Sequence, residues 1–153
     1  MNSFKDKKIL LCVTGSIAAF KACELIRILK KEGAYIQVMM SSSAEKFIGS
    51  STFAALSGEK VLTNLFPNSP KGGLEHIEMA FEIDLIVVVP ATANIICKVA
   101  SGIADDIIST TLSVCEQPLL FAPAMNNRMW SNQATQNAIC LLYTSDAADD
   151  NVG

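Results

Sequence analysis

The run Asp84–Val89 is apolar after its first residue and from Leu85 on offers no position that could face water. A strand of this kind must be covered on both faces, which is the condition of a parallel sheet between two layers of helices. Lys8–Thr14 and Leu119–Ala122 are of the same type, and Tyr35–Met40 is broken only at Gln37. Four such runs separated by helical patterns predict an α/β fold with a parallel sheet and helices on both faces.

Helical periodicity fills the intervals. Ile17–Glu32 reads as an amphipathic helix, with Ile17, Phe20, Leu25, Ile28 and Leu29 expected largely on one side and Lys21, Arg27, Lys30 and Lys31 elsewhere. Ser16 is placed to cap its start and Gly33 to end it. Shorter helical stretches are expected at Ala44–Phe47, Thr52–Leu56, Ala93–Ala100, Ile107–Val114 and Gln133–Ile139, with Phe66–Gly73 as loop. Half of the 153 residues are apolar, enough for one core and one domain.

A net charge of −3 and scattered basic residues, clustered only at Lys5, Lys7 and Lys8, give no face for nucleic acid. The apolar run Ile9–Val13 is short for a signal core, and no stretch is long enough to span a bilayer. Cys12, Cys23, Cys97, Cys115 and Cys140 are odd in number and lack metal spacing. They read as reduced core residues of a cytoplasmic protein. With a single histidine, no metal site is expected.

In such sheets ligands bind beyond the carboxyl ends of the strands. Four polar groups gather there: Gly15 with Ser16, Ser41–Ser43, Pro90–Asn94, and Pro123–Asn126. Gly15 and Ser16 end a strand and open a helix, a pattern that suits one phosphate and equally suits a capped turn. A single glycine falls short of a dinucleotide fingerprint. Thr92 and Asn94 can hydrogen-bond a heteroaromatic ring or cap a helix. Asp105 and Asp106 precede an apolar helix and fit an N-terminal charge preference, with acid/base work as the alternative. His76 is either structural or a proton carrier near neutrality. In PAMNNRMW, Asn126 is an amide able to donate to a substrate carboxylate, and Met125 and Met129 form a soft apolar wall.

Taken in order, GSIAAFK, HIEMA, PATAN with the following ADDIIST, and PAMNNRMW resemble the flavin-dependent cysteine decarboxylases over roughly Lys7 to Ile139. The resemblance implies a flavodoxin-like, doubly wound fold and FMN as cofactor. It also implies a homotrimer or a multiple of trimers with FMN between subunits. Gly15, Ser16 and Ile17 would hold the FMN phosphate. Ser41, Ala91, Thr92, Asn94 and Ser109 would lie around the flavin. His76 would be the catalytic histidine, and Asn126 would bind the substrate carboxylate. The implied activity is that of a lyase, the FMN-dependent decarboxylation of phosphopantothenoylcysteine to phosphopantetheine in coenzyme A biosynthesis. Hydride leaves the carbon bearing sulfur, the thioaldehyde accepts the electrons left by CO2, and the enethiol is then reduced. Peptide cysteine decarboxylases share His76 and Asn126 and stand as the alternative. Flavin prenyltransferases lack that pair, and a non-catalytic FMN-binding regulatory subunit is a third reading.

The stretch Cys140–Gly153 fits none of this pattern and reads as a non-native tail. The expected domain is therefore residues 1–139, incomplete at its C-terminus. Family members carry a further cysteine segment that supplies the acid for reducing the enethiol, and often a synthetase domain. Cys140 does not lie in that motif, so the second half-reaction is expected to be missing here.

Overall fold

The structure is a computed structural model that describes residues 3–65 and 82–150. Strands β1 (Lys8–Val13), β2 (Tyr35–Met40), β3 (Leu85–Ala91) and β4 (Leu119–Pro123) form one parallel sheet in the order β2-β1-β3-β4. The chain winds outward from β1 to β2, then crosses to the other side of β1 for β3 and β4. This reversal puts a topological switch point between β1 and β3, as in flavodoxin-like sheets. Among the described residues the helices are α1 (Ala19–Lys31), α2 (Ser50–Ser57), α3 (Ala93–Ala100), α4 (Ile107–Val114), α5 (Asn127–Ser131) and α6 (Gln133–Asp150), with a 3-10 turn at Ala44–Lys46. The expected loop Phe66–Gly73 lies outside the described residues.

The pleat explains why the strands are almost wholly apolar. Ile9, Leu11 and Val13 of β1 point to one face and pack with Ala22, Ile26 and Phe53 of α1 and α2. Leu10 and Cys12 point to the other face and pack with Ile96, Ile108 and Leu112 of α3 and α4. All five β1 residues are fully buried. Successive side chains alternate between two cores, so a polar residue at any position would be stranded. The doubly wound arrangement is thus observed directly.

Helix α1 corrects the expected face. It begins at Ala19, two residues later than the sequence pattern suggests, and buries Ala19, Ala22, Ile26 and Leu29. Ile17, Phe20 and Ile28 are instead exposed, while Leu25 is partly buried. Small alanines let the helix approach the sheet closely, so the larger residues beside them turn outward. Gly33 ends the helix as expected. Its φ of +90° lets its N–H reach the Lys30 carbonyl at 3.0 Å while the Ala34 N–H reaches Leu29 at 3.1 Å. Two otherwise unpaired helix carbonyls are satisfied by that left-handed turn.

At the far end, α6 crosses the Ile139–Cys140 position without a break. Ala138 is buried there, and Ile139 and Leu142 pack against the second core. Cys12 is a core residue, and Cys23, Cys97 and Cys115 are half-buried, but Cys140 is exposed, unlike the core position expected of it. Burial above all, with Cys115 and Asp106 nearby, pushes the Cys12 thiol far up, so it remains an inert thiol. Among the described residues no helix is long and apolar enough to cross a membrane.

Candidate active site

The carboxyl ends of all four strands open into one cavity of ≈ 490 Å³. Thr14, Gly15 and Ser16 after β1 line it, as do Ser41–Ser43 after β2, Thr92 and Asn94 after β3, and Met125 and Met129 after β4. Lys98, Asp105 and Asp106 supply its charged side chains. The volume falls within the usual range for small-molecule sites, about 300–1,000 Å³.

The loop after β1 is tightly organised. The Ser16 hydroxyl accepts from the Ala18 N–H at 3.1 Å, and the Ala19 N–H donates to the Ser16 carbonyl at 2.9 Å. Ser16 therefore stabilises the approach to α1, whose N-cap is Ala18 and has no side-chain cap of its own. Gly15 is dictated by proximity: a Cβ there would meet the Ser43 backbone and side chain. The loops after β1 and β2 thus touch, and both face the cavity.

After β3, Thr92 caps α3 by accepting from the Ile95 N–H at 3.3 Å. The Thr14 hydroxyl donates to the Pro90 carbonyl and accepts from the Thr92 N–H at 3.1 Å. Thr14 is 2% exposed, and its two bonds join the ends of β1 and β3. Asn94 is exposed on the first turn of α3, on the cavity wall. After β4, Asn126 caps α5: its Oδ1 accepts from the Met129 N–H at 2.9 Å. The amide nitrogen of Asn126 is then the part able to donate to a ligand.

A charged cluster closes one side. Lys98 Nζ lies 2.8 Å from Asp105 Oδ1 and 3.4 Å from Asp106 Oδ2, and the Lys98 side chain is only 15% exposed. Asp106 also caps α4. It accepts from the Ser109 N–H and from the Ser109 hydroxyl, each at 2.7 Å, and that hydroxyl accepts in turn from the Asp106 N–H. Burial raises the Asp106 pKa, but the Ser109 hydroxyl and amide and the Lys98 ammonium outweigh it and hold the carboxyl below its ordinary value. Burial likewise lowers Lys98, but Asp105 and Asp106 outweigh it and hold the ammonium above its ordinary value. The carboxylate pair is thus committed to capping and to an ion pair, the arrangement expected of an N-terminal charge preference.

Gly15, Ser16, Ser41, Thr92, Asn94, Met125 and Met129 come together on the cavity lining. Ile17 is 79% exposed beside the loop, and Asn126 sits exposed between two lining methionines. Ala91 and Ser109 are buried and do not line the cavity; Ala91 precedes the lining Thr92, and Ser109 bonds the lining Asp106. His76 lies outside the described residues. Two elements escape sequence reasoning, the Thr14 clamp and the Lys98 ion pair. Thr14 bonds to residues 76 and 78 positions away, a relationship no local spacing reveals.

Comparison with known proteins places this geometry. A family model described as Flavoprotein matches residues 2–148. The chain belongs to the flavoprotein family. The coenzyme A biosynthesis bifunctional protein CoaBC of Bacillus subtilis is 44% identical to this flavoprotein over 138 residues, 90% of the present chain and 34% of the relative. The chain therefore spans about a third of the length of that relative. Among solved structures, the FMN-dependent cysteine decarboxylase SpaF aligns with a TM-score of 0.87 at 30% identity, over 94% of this chain and 82% of SpaF. A PPC decarboxylase variant complexed with pantothenoylaminoethenethiol aligns with a TM-score of 0.76 at 25% identity, over 92% and 79%. This flavoprotein thus stands with the FMN-dependent cysteine decarboxylases.

Proposed function

We propose that this flavoprotein binds FMN in the cavity at the β1/β3 switch point and decarboxylates phosphopantothenoylcysteine, a step of coenzyme A biosynthesis. The observation that carries this reading is the meeting of Gly15, Ser16, Ser41, Thr92, Asn94 and Met125 in one cavity. The 44% identity to the coenzyme A biosynthesis bifunctional protein of B. subtilis, over 90% of this chain, supports this substrate.

The donor set fits FMN. Gly15, Ser16 and Ile17 would hold the phosphate at the start of the 13-residue α1, whose first turn carries no acidic side chain. An anion there meets backbone N–H groups and the positive end of the helix dipole. The hydroxyls of Ser41, Ser42 and Ser43 add neutral donors along the same wall. Thr92 and Asn94 would hold the flavin ring, with Ala91 and Ser109 supporting the wall from behind. Bound FMN would supply the acceptance of hydride that loss of CO2 requires.

The remaining roles belong to the chain. Asn126 would donate its amide to the substrate carboxylate without adding a charge, while Met125 and Met129 exclude water from the reacting carbon. His76 completes the proposed set as the group able to move a proton near neutrality. Assembly as a homotrimer, or a multiple of trimers, is part of this proposal. Ile17, Phe20, Phe47, Met129 and Trp130 are between 43% and 79% exposed and follow the same strand ends that open into the cavity. Apolar surface so placed favours burial against another copy of the chain.

The test is to reconstitute the protein with FMN and supply phosphopantothenoylcysteine or a peptide ending in cysteine. Release of CO2 from the first and not the second supports the proposal. Release from the peptide alone would move the assignment to the peptide decarboxylases.

A further inference from the structure

We infer that Thr14 is a positioning residue that fixes the distance between the phosphate loop and the ring-binding turn, so that one ligand can span both. The inference rests on the FMN reading and extends it to a residue to which that reading gives no part in holding the ligand.

Each half of the cavity is held together by its own hydrogen bonds. The loop after β1 is closed by Ser16 N–H to Thr14 C=O at 3.0 Å, Ala19 N–H to Ser16 C=O at 2.9 Å and Ala18 N–H to the Ser16 hydroxyl at 3.1 Å. The turn after β3 is closed by Ile95 N–H to the Thr92 hydroxyl at 3.3 Å and Ile96 N–H to Thr92 C=O at 3.1 Å. The paired register between β1 and β3 ends at Cys12 and Val88, short of either unit. Beyond that register, the Thr14 hydroxyl bonds from the β1 loop to both the Pro90 carbonyl and the Thr92 N–H. It is 2% exposed, so water cannot readily replace it.

A ligand bound at two rigid points gains from their fixed separation, because binding at one point raises the effective concentration at the other. Loss of the clamp should therefore penalise a ligand that uses both points far more than one that uses a single point. FMN and riboflavin differ only in the phosphate, which makes them the two probes.

Flavin fluorescence titrations on the full chain, with Thr14→Val and Thr14→Ser variants, supply the test. T14V is expected to bind FMN at least ~10-fold more weakly, as a displaced hydrogen-bonding group would cause, while riboflavin weakens less than ~3-fold. T14S keeps the hydroxyl and should keep the preference for FMN over riboflavin. Near-UV circular dichroism establishes whether T14V is folded. If it is not, Thr14→Cys takes its place: the weaker thiol donor should lower the FMN-to-riboflavin ratio by ~3-fold or more. An equal loss for both flavins in folded T14V would make Thr14 merely structural and overturn the inference. So would an unchanged ratio in T14V or T14C, or a collapsed ratio in T14S. Binding of neither flavin by the unaltered chain would instead overturn the FMN reading itself.

Discussion

Gly15 and Ser43 touch across the top of the sheet: an ideal Cβ on Gly15 would lie 2.4 Å from the Ser43 Cβ and 3.1 Å from its carbonyl carbon. The contact brings the loop after β1 against the loop after β2, and both line the cavity. Gly15→Ala must therefore push the loops apart. The expected cost is about 1–3 kcal/mol of stability, as for other overpacked sites. FMN binding should weaken with it. Ser43→Gly removes the worst clash, so the double variant should recover part of both losses. Chemical denaturation and flavin titration check this, and an additive double variant would show that the contact is not the cause.

Asp106 should give stability an acid limb. Its folded pKa lies below the ordinary 3.8, so its stabilising effect is complete above that value and is lost as pH falls through the folded value. Lys98 behaves in the opposite sense: its folded pKa lies above 10.5, so its contribution is complete below that value and lost as pH rises through the folded one. Asp106→Ala removes the cap of α4 and should cost about 0.5–2 kcal/mol at neutral pH. It should also flatten the decline that sets in below the ordinary value of 3.8. Urea midpoints across that range measure it, and an unchanged acid limb would contradict the assignment.

Asn126→Asp separates capping from chemistry. Aspartate caps a helix as well as asparagine, so α5 should persist and stability should change by less than about 0.5 kcal/mol. A carboxylate at this position would repel a substrate carboxylate. FMN content should be retained while CO2 release is abolished. Wild-type CO2 release would remove Asn126 from the site.

The two faces of α1 should respond differently. Ile26 is fully buried, and Ile26→Ala should cost about 2–5 kcal/mol. Phe20 is 51% exposed, and Phe20→Ser should change the stability of a single copy by less than about 0.5 kcal/mol. Under the proposed assembly, the serine variant should shift the protein toward smaller species in analytical ultracentrifugation. An unaltered distribution would place the interface elsewhere.

These two faces also show where sequence reading stops. The strands were legible because a run such as Leu85–Val89 has no polar position and so fits only a sheet covered on both sides. The helices Ala93–Ala100 and Ile107–Val114 were legible from their apolar pattern, and Thr92 and Asp106 before them prove to be their caps. In α1, apolar residues occur on more than one side, and size does not decide which side packs. The sheet accepts the alanines because they allow close approach, and Phe20 and Ile28 are left outside. The cavity was legible as a set of strand ends. What joins those ends was not: the Thr14 bonds and the Gly15–Ser43 contact depend on which strands the fold makes neighbours.

The most direct test of the account is FMN-dependent release of CO2 from phosphopantothenoylcysteine labelled in its cysteine carboxylate. Protein saturated with FMN should release labelled CO2, the flavin-free protein should not, and Asn126→Asp with its FMN retained should not. Saturating FMN binding without any release of label from the unaltered chain would contradict the proposed reaction while leaving the fold and the cavity as described.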